Sequence, residues 1–394
     1  MSVRRAYLIN AFANVYFAMM LFILGIYVIA LGGSSVAVGI AYAVYNLMIF
    51  ISGLLAGPII DRNMLKAIMY IGVATMFSGL VGMAIVTSIL GVYISIILIG
   101  FGAGFIATGL LVFASHAGGQ ADANVYGKLI SYSAIGSAIG GGIGYLILIF
   151  GELLSRELLG VRMIFLAYAF LSMIPNVYLI WRTDMAYAKG EERGATGRLN
   201  LKAIGGALMA TSFQALAQGI TYPMIFPFLT ERFHASFLIV ALAYAPSGAA
   251  WLLFSRRAGS LLNRYGIHRR FALATIISAV IVMIIPFSNS LILLSALWAI
   301  EGLGLVLWNV VINALISTIT PKDVWGKSYG LENATYYLPY ALGAVVGGVV
   351  FLYYGVVAAF YLGALFFFLA PIPFVLSYNR GKKASAANTQ SKYP

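Results

Sequence analysis

The chain has no cysteine among its 394 residues. That excludes a disulfide framework, thiol chemistry and cysteine metal sites, and says nothing of compartment. Charge is nearly as scarce. Asp, Glu, Lys and Arg make up 9% of the residues, against roughly 25% in soluble domains. The three histidines, His116, His234 and His268, stand far apart, so no metal cluster is indicated. No P-loop or Walker lysine occurs, which argues against direct ATP drive. A membrane enzyme would want clustered His, Asp or Glu at one interface, and His116 with Asp122 is the one near case. The expectation is a chain with no cofactor, no metal and no enzymatic activity.

Apolar residues are what the chain has in plenty: 62% of the total, with a mean hydropathy of +0.97. Spanning a bilayer takes roughly 20 apolar residues as helix. Twelve such runs can be drawn, in two sets of six. The first set begins near Tyr7, Val36, Leu65, Gly91, Leu129 and Val161, the second near Leu201, Ser236, Phe271, Leu291, Ser328 and Val356. Lipid offers no partner to an open backbone, so these runs are expected to be helices. The alternation of barrel strands is absent. The fold class predicted is all-α and polytopic, with twelve transmembrane helices as two pseudo-symmetric six-helix bundles.

The net charge of +13 comes from 24 basic and 11 acidic residues. With both termini in the cytoplasm, 21 of the 24 Lys and Arg fall in inner loops and tails, leaving Arg156, Arg162 and Arg232 outside. That positive-inside bias predicts a multi-pass protein of the plasma membrane with both termini cytoplasmic. It also favours anionic inner-leaflet lipids, and no basic domain exists outside the membrane to bind nucleic acid. The run Tyr7 to Leu31 is too long for a signal-peptide core and lacks a small-residue cleavage site, so it is expected to be an uncleaved first helix.

The longest polar interruption, around Lys189-Gly190-Glu191-Glu192-Arg193-Gly194, divides the chain. The domains expected are residues 1–182 as the first bundle, 183–200 as a cytoplasmic linker, 201–379 as the second bundle, and 380–394 as a disordered tail. The halves repeat each other. Gly57-Pro-Ile-Ile-Asp61-Arg62 matches Gly259-Ser-Leu-Leu-Asn263-Arg264 at an offset of 202. Asn10/Asn14 match Gln214/Gln218 at 204, Gly100/Gly102 match Gly302/Gly304 at 202, and Tyr126-Gly-Lys128 matches Trp325-Gly-Lys327 at 199.

With these features the sequence resembles the major facilitator superfamily over essentially its whole length. The loop signature of that family, G-x-L-a-D-R-x-G-R-K, is kept here at Gly57, Asp61, Arg62 and Lys66, with Met64 and Leu65 in place of Gly and Arg. The second copy keeps Gly259, Leu261, Arg264 and Gly266, with Asn263 in place of Asp. The resemblance implies a secondary transporter that works by alternating access, acts as a monomer and binds a small-molecule solute between helices 1, 4, 7 and 10. It also implies that Asp61 faces the segment near Gly326-Lys327-Ser328, as a latch formed with Gly57, Arg62 and Lys66. Asn263 and Arg264 would mark a weaker partner corner. The alternative reading of Asp61 and Arg62 is a solvated loop at the membrane edge.

Glu301 lies about ten residues into the tenth helix, near mid-membrane. An ionised carboxylate there costs about 2.5–3.5 kcal/mol even on mild insertion scales. It is either a proton-coupling carboxyl, a partner for a cationic solute, or a protonated residue holding a helix contact. Glu332, one turn into helix 11, is a second candidate for proton coupling. The pairs Asn10/Asn14, Gln214/Gln218 and Asn309/Asn313 are spaced i,i+4, so each presents two amides on one helix face. They are candidates to line the cavity with Glu301; interhelical amide clamps are the alternative.

No Lys or Arg falls at a membrane midplane, and Ile96 stands where many family members carry an arginine. Neutral or cationic solutes fit that absence, and Tyr222, Tyr244, Tyr336, Tyr337 and Tyr340 could add a cation–π surface. Gly136-x3-Gly140-x3-Gly144 allows close packing of helix 5 and partly resembles the antiporter signature of the family. Pro223, Pro227 and Pro339 are expected to kink helices 7 and 11. The leading expectation is proton-coupled export of amphipathic organic compounds. Proton-linked uptake of a neutral sugar or nucleoside is the second, and a transport-inactive sensor or membrane enzyme belongs to a different class.

Overall fold

A computed structural model describes residues 3–33, 35–118, 123–153, 157–185, 201–233, 237–265, 267–320 and 324–376. These residues are helical almost throughout, with no strand among them. The first crossing is α1 (Val3–Ala13) and α2 (Phe17–Ala30), broken at 14–16. Then come α3 (Ser35–Ile60), α4 (Leu65–Ile85), α5 (Ile89–Gly118) and α6 (Ala123–Leu153). The sixth crossing is α7 (Glu157–Tyr168), a π-helical stretch Ala169–Met173, and α8 (Ile174–Arg182). The second bundle holds α9 (Leu201–Phe233), α10 (Phe237–Tyr265), α11 (Ile267–Ile284), α12 (Leu291–Ile319) and α13 (Trp325–Leu369).

The long α13 is two crossings. Its 45 residues would extend about 68 Å at 1.5 Å per residue, twice the roughly 30 Å of hydrocarbon. The turn between the arms is at Gly355, whose φ of 82° suits a residue without Cβ. Seven helices among the described residues are each long and apolar enough to cross a membrane. Further crossings stand beside these seven, and α11 adds a shorter apolar helix, Ala272–Phe287. The first crossing is split into two short pieces, α13 holds two crossings in one helix, and polar residues such as Thr211, Gln214 and Gln218 interrupt the apolar run of α9. Large apolar side chains, among them Ile85, Phe150 and Leu253, are exposed on the outer surface, as a hydrocarbon solvent allows.

Glycines set the close approaches within each bundle, and they repeat. Gly102 of α5 packs on the carbonyl of Gly72 in α4, and Gly304 of α12 on that of Ala274 in α11. Gly100 meets Tyr45 of α3 where Gly302 meets Ser247 of α10. Each of these residues has its counterpart 202 positions on, so the internal repeat of the sequence is also a repeat of packing. Similarly, Gly136 and Gly140 of α6 press on the backbone of Ala11 and Val15, and Gly343 and Gly347 of α13 on that of Leu216 and Ile220. A side chain at any of these four glycines would collide with main chain.

The bundles meet mainly where α3 packs on α13 and α6 on α10. Gly53 and Gly57 of α3 face Gly330 and Gly326 of α13, backbone to backbone. This seam lies on the face that carries the start of α1 and the 61–64 turn, termed the basic face below.

Candidate functional site

Glu301 stands ten residues into α12 and is 1% exposed. Trp298 precedes it by three positions, so ring and carboxyl share one helix face. The hydroxyl of Tyr222, on α9, donates to Glu301 Oε1 at 2.8 Å. The Tyr222 ring meets Trp298 edge-on with centroids 4.8 Å apart, and Tyr244 of α10 meets the same indole at 5.8 Å. The carboxyl is therefore held by a phenol inside an aromatic pocket.

One turn nearer the basic face, Gln218 Oε1 accepts a 2.5 Å hydrogen bond from the Tyr336 hydroxyl of α13. The Tyr336 ring stacks on Trp308 of α12 at 5.6 Å and contacts Tyr337 and Tyr340 at 5.0 and 6.0 Å. Trp308 follows Glu301 by seven residues, two helical turns along the same face of α12. Helices α9, α12 and α13 thus bring Tyr, Trp and a carboxyl into one largely buried cluster. From the first bundle, Tyr16 and Tyr45 share a hydroxyl contact of 3.0 Å and stand near Tyr337 and Tyr340. Glu332 lies one turn before Tyr336, is buried, and makes no hydrogen bond among the described residues.

The sequence-predicted amides divide. Gln218 joins Tyr336 in the aromatic cluster. Gln214 is buried with neither amide atom hydrogen-bonded among the described residues. Asn10 instead donates to the Leu129 carbonyl of α6 at 2.8 Å, and Asn14 donates to Asn10 O and Oδ1 at 2.8 and 2.9 Å. These two sit at the break in the first crossing, where Ser137 and Ser172 hydroxyls bond the carbonyls of Asn14 and Phe12. Asn309 and Asn313 donate back to their own helix, to the carbonyls of Leu305 and Asn309. The structure gathers Glu301 and Gln218 and engages the donors of the four asparagines elsewhere.

At the basic face Asp61 accepts from two backbone N–H groups in the first turn of α13, Gly326 at 2.8 Å and Lys327 at 3.0 Å. Gly57, one turn earlier on α3, lets the helices approach until a Cβ there would fall 2.6 Å from the Gly326 carbonyl oxygen. Arg62 is exposed. Lys66 turns away from α13 and donates to the carbonyls of Trp181 and Thr183 at 3.2 and 3.4 Å. Asn263 and Arg264 fall at the end of α10, and their side chains lie outside the described residues.

A second set of contacts across the seam was not legible as a site in the sequence: Tyr126 stood out there only as part of a repeat, and serine and tyrosine are common throughout this chain. The hydroxyls of Tyr126 (α6) and Tyr329 (α13) lie 2.6 Å apart, and Ser115 of α5 is 2.8 Å from the first and 2.9 Å from the second. Tyr329 also donates to the Asn313 carbonyl at 3.2 Å, and Asn333 of α13 donates to Thr108 Oγ1 of α5 at 2.8 Å. All of these side chains are buried, so the basic face is closed by hydrogen bonds as well as by packed glycines.

The family described as Major Facilitator Superfamily matches residues 6–285 and again 207–393. The chain belongs to the Major Facilitator Superfamily. It is an integral membrane transporter and not an enzyme. It is similar to a multi-drug resistance efflux pump PmrA homolog of Lactococcus lactis subsp. lactis (strain IL1403), 25% identical over 322 residues that cover 78% of this chain and 77% of that one. Among solved structures, the proton:xylose symporter XylE bound to 6-bromo-6-deoxy-D-glucose superposes with a TM-score of 0.77 at 14% identity, over 94% of each chain. The human organic anion transporter MFSD10 (TETRAN) gives 0.73 at 14% identity, over 94% of this chain and 98% of that chain. The E. coli fucose:proton symporter FucP gives 0.69, also at 14%, over 95% and 97%. Identities this low establish the shared fold and leave the solute open.

Proposed function

We propose that this transporter exports small neutral or cationic amphipathic organic solutes in exchange for protons. Alternating access would proceed between the two bundles, with the basic face cytoplasmic. The observation that carries the reading is Glu301, a carboxyl in mid-helix, 1% exposed, bonded to Tyr222 and ringed by aromatic side chains. A carboxyl at that depth is expensive to keep charged without a partner, so a proton and an organic cation are natural competitors for it. Aromatic faces from Tyr222, Tyr244, Trp298 and Tyr336 suit an apolar or cationic body. Export is favoured by the efflux-pump relative and by the glycine-rich α6. Glu332 is the second proton-coupling group, and Asp61 biases the closed state of the basic face.

The test is proton release from detergent-purified protein as a lipophilic cation such as tetraphenylphosphonium is added, wild type against Glu301→Gln. Release in the wild type, lost in the variant while solute binding persists, is the expected result. Proton movement that survives the substitution would make Glu301 structural. Binding without proton movement in either protein would remove proton coupling. Proton uptake on adding a neutral sugar or nucleoside would reverse the direction in favour of uptake.

A further inference from the structure

On the lipid-facing side of the first bundle a groove of about 480 Å³ runs between α4 and the end of the sixth crossing. Val73 and Met173 are buried along it, Tyr70 and Phe77 of α4 form one side, and Ile174 and Val177 of α8 the other. The π-helical stretch Ala169–Met173 opens directly onto it. Two side chains along it carry hydroxyls, Tyr70 at the end near the basic face and Ser78, whose hydroxyl donates to the Ala74 carbonyl at 3.0 Å. The other six lining residues present only apolar side chains.

Its two ends differ. Tyr70 lies five residues inside the start of α4 and Val177 five residues inside the end of α8, each about 7.5 Å along the helix from the basic face. At the far end Phe77 and Phe170 meet edge-on with centroids 5.6 Å apart, about 18 Å in by the same rise per residue. That depth is close to one leaflet, half of the roughly 30 Å hydrocarbon core. At the near end three cations gather around the last carbonyls of α8. Lys66 donates to Trp181 and Thr183, Arg5 donates to the Arg182 carbonyl, and the Arg182 guanidinium lies 5.3 Å from the Trp181 ring and 5.7 Å from that of Tyr178. Arg182, Trp181 and Tyr178 are exposed, and the guanidinium of Arg182 makes no hydrogen bond among the described residues. Asp184 is the neighbouring carboxylate, so positive charge predominates.

We infer that this groove is a binding site for one anionic glycerophospholipid of the leaflet on the basic face. An acyl chain lies along Val73 and Met173, and the phosphate sits at Arg182, Lys66 and Arg5. The match of groove depth to one leaflet, apolar along its length and cationic with an aromatic belt at the interface, is what selects a lipid of that charge. The site lies apart from the Glu301 cluster and is independent of proton coupling.

Native mass spectrometry of the full-length protein tests the inference, after equilibration with equal dioleoylphosphatidylglycerol and dioleoylphosphatidylethanolamine. The wild type is expected to retain one phosphatidylglycerol preferentially. Arg182→Gln, which breaks no hydrogen bond, should lower that preference about fivefold, the effect of one basic residue near an anionic surface. Ala74→Trp, placed at an exposed position of the groove, should abolish retention while leaving the cations in place. Equal retention of both lipids by the wild type, or undiminished retention by Ala74→Trp, overturns the proposal. So does a dimer peak lost in Ala74→Trp, which would assign the groove to a second copy of the chain.

Discussion

Replacing Asp61 by Asn should open the basic face. The carboxylate accepts two hydrogen bonds, at 2.8 and 3.0 Å, from N–H groups in the first turn of α13. It also places a negative charge at a helix N-terminus. In a partly buried geometry that arrangement contributes about 1–2 kcal/mol, and the amide, neutral and with a single acceptor oxygen, keeps only a fraction. The contact joins the two bundles, so the loss falls on the closed state alone and none of it on a state in which the seam has parted. A loss of about 1–2 kcal/mol moves the closed-to-open ratio by roughly 5–30-fold. The absence of native cysteine makes the assay direct. Spin labels at Met64→Cys and Leu376→Cys, both exposed and on opposite bundles near the basic face, report the separation across the seam. The expected outcome in Asp61→Asn is a larger long-distance population by electron–electron double resonance. An unchanged distribution in folded protein would refute the argument that this carboxylate biases the gate.

Tyr329→Phe should act in the same direction, because it removes the hydroxyl that reaches Ser115, Tyr126 and the Asn313 carbonyl, each such bond contributing about 0.5–1.5 kcal/mol. The same labels would show a shift of severalfold, and combination with Asp61→Asn should be close to additive if the two contacts act independently. Tyr222→Phe keeps the edge-on packing with Trp298 but strips Glu301 of its phenol donor, so solute-driven proton release should fall while solute binding persists. Loss of both together would assign the tyrosine to binding instead. Gly140→Ala should cost at least about 1–3 kcal/mol of overpacking against the Val15 backbone, seen as a lower melting temperature, whereas Gly142→Ala, with open space around it, should leave melting unchanged.

Composition alone determined that this chain spans a membrane as helices, since 62% apolar residues cannot be folded around a soluble core and lipid leaves the backbone no other form. The offset of 202 between Gly57 and Gly259 determined that there are two halves, and position along α12 put Glu301 at mid-depth. The close packing of helix 5 was also readable, because glycines spaced by four fall on one helix face and mark where another main chain comes near.

Tertiary structure decided what each polar face meets. Spacing of i,i+4 puts two amides on one side of a helix without saying which neighbour lies there. By residue type Asn10 and Asn14 align with Gln214 and Gln218 at an offset of 204. By packing, however, Ala11 and Val15 correspond to Leu216 and Ile220 at 205, as their glycine partners on α6 and α13 show. One residue is about 100° of helix rotation. That rotation turns Asn10 to the Leu129 carbonyl and Gln218 to the Tyr336 hydroxyl, and the pairing of Tyr222 with Glu301 is set in the same way. Depth along a helix follows from counting residues, and so belongs to the sequence. Rotation about its axis follows from which backbones can touch, and belongs to the fold.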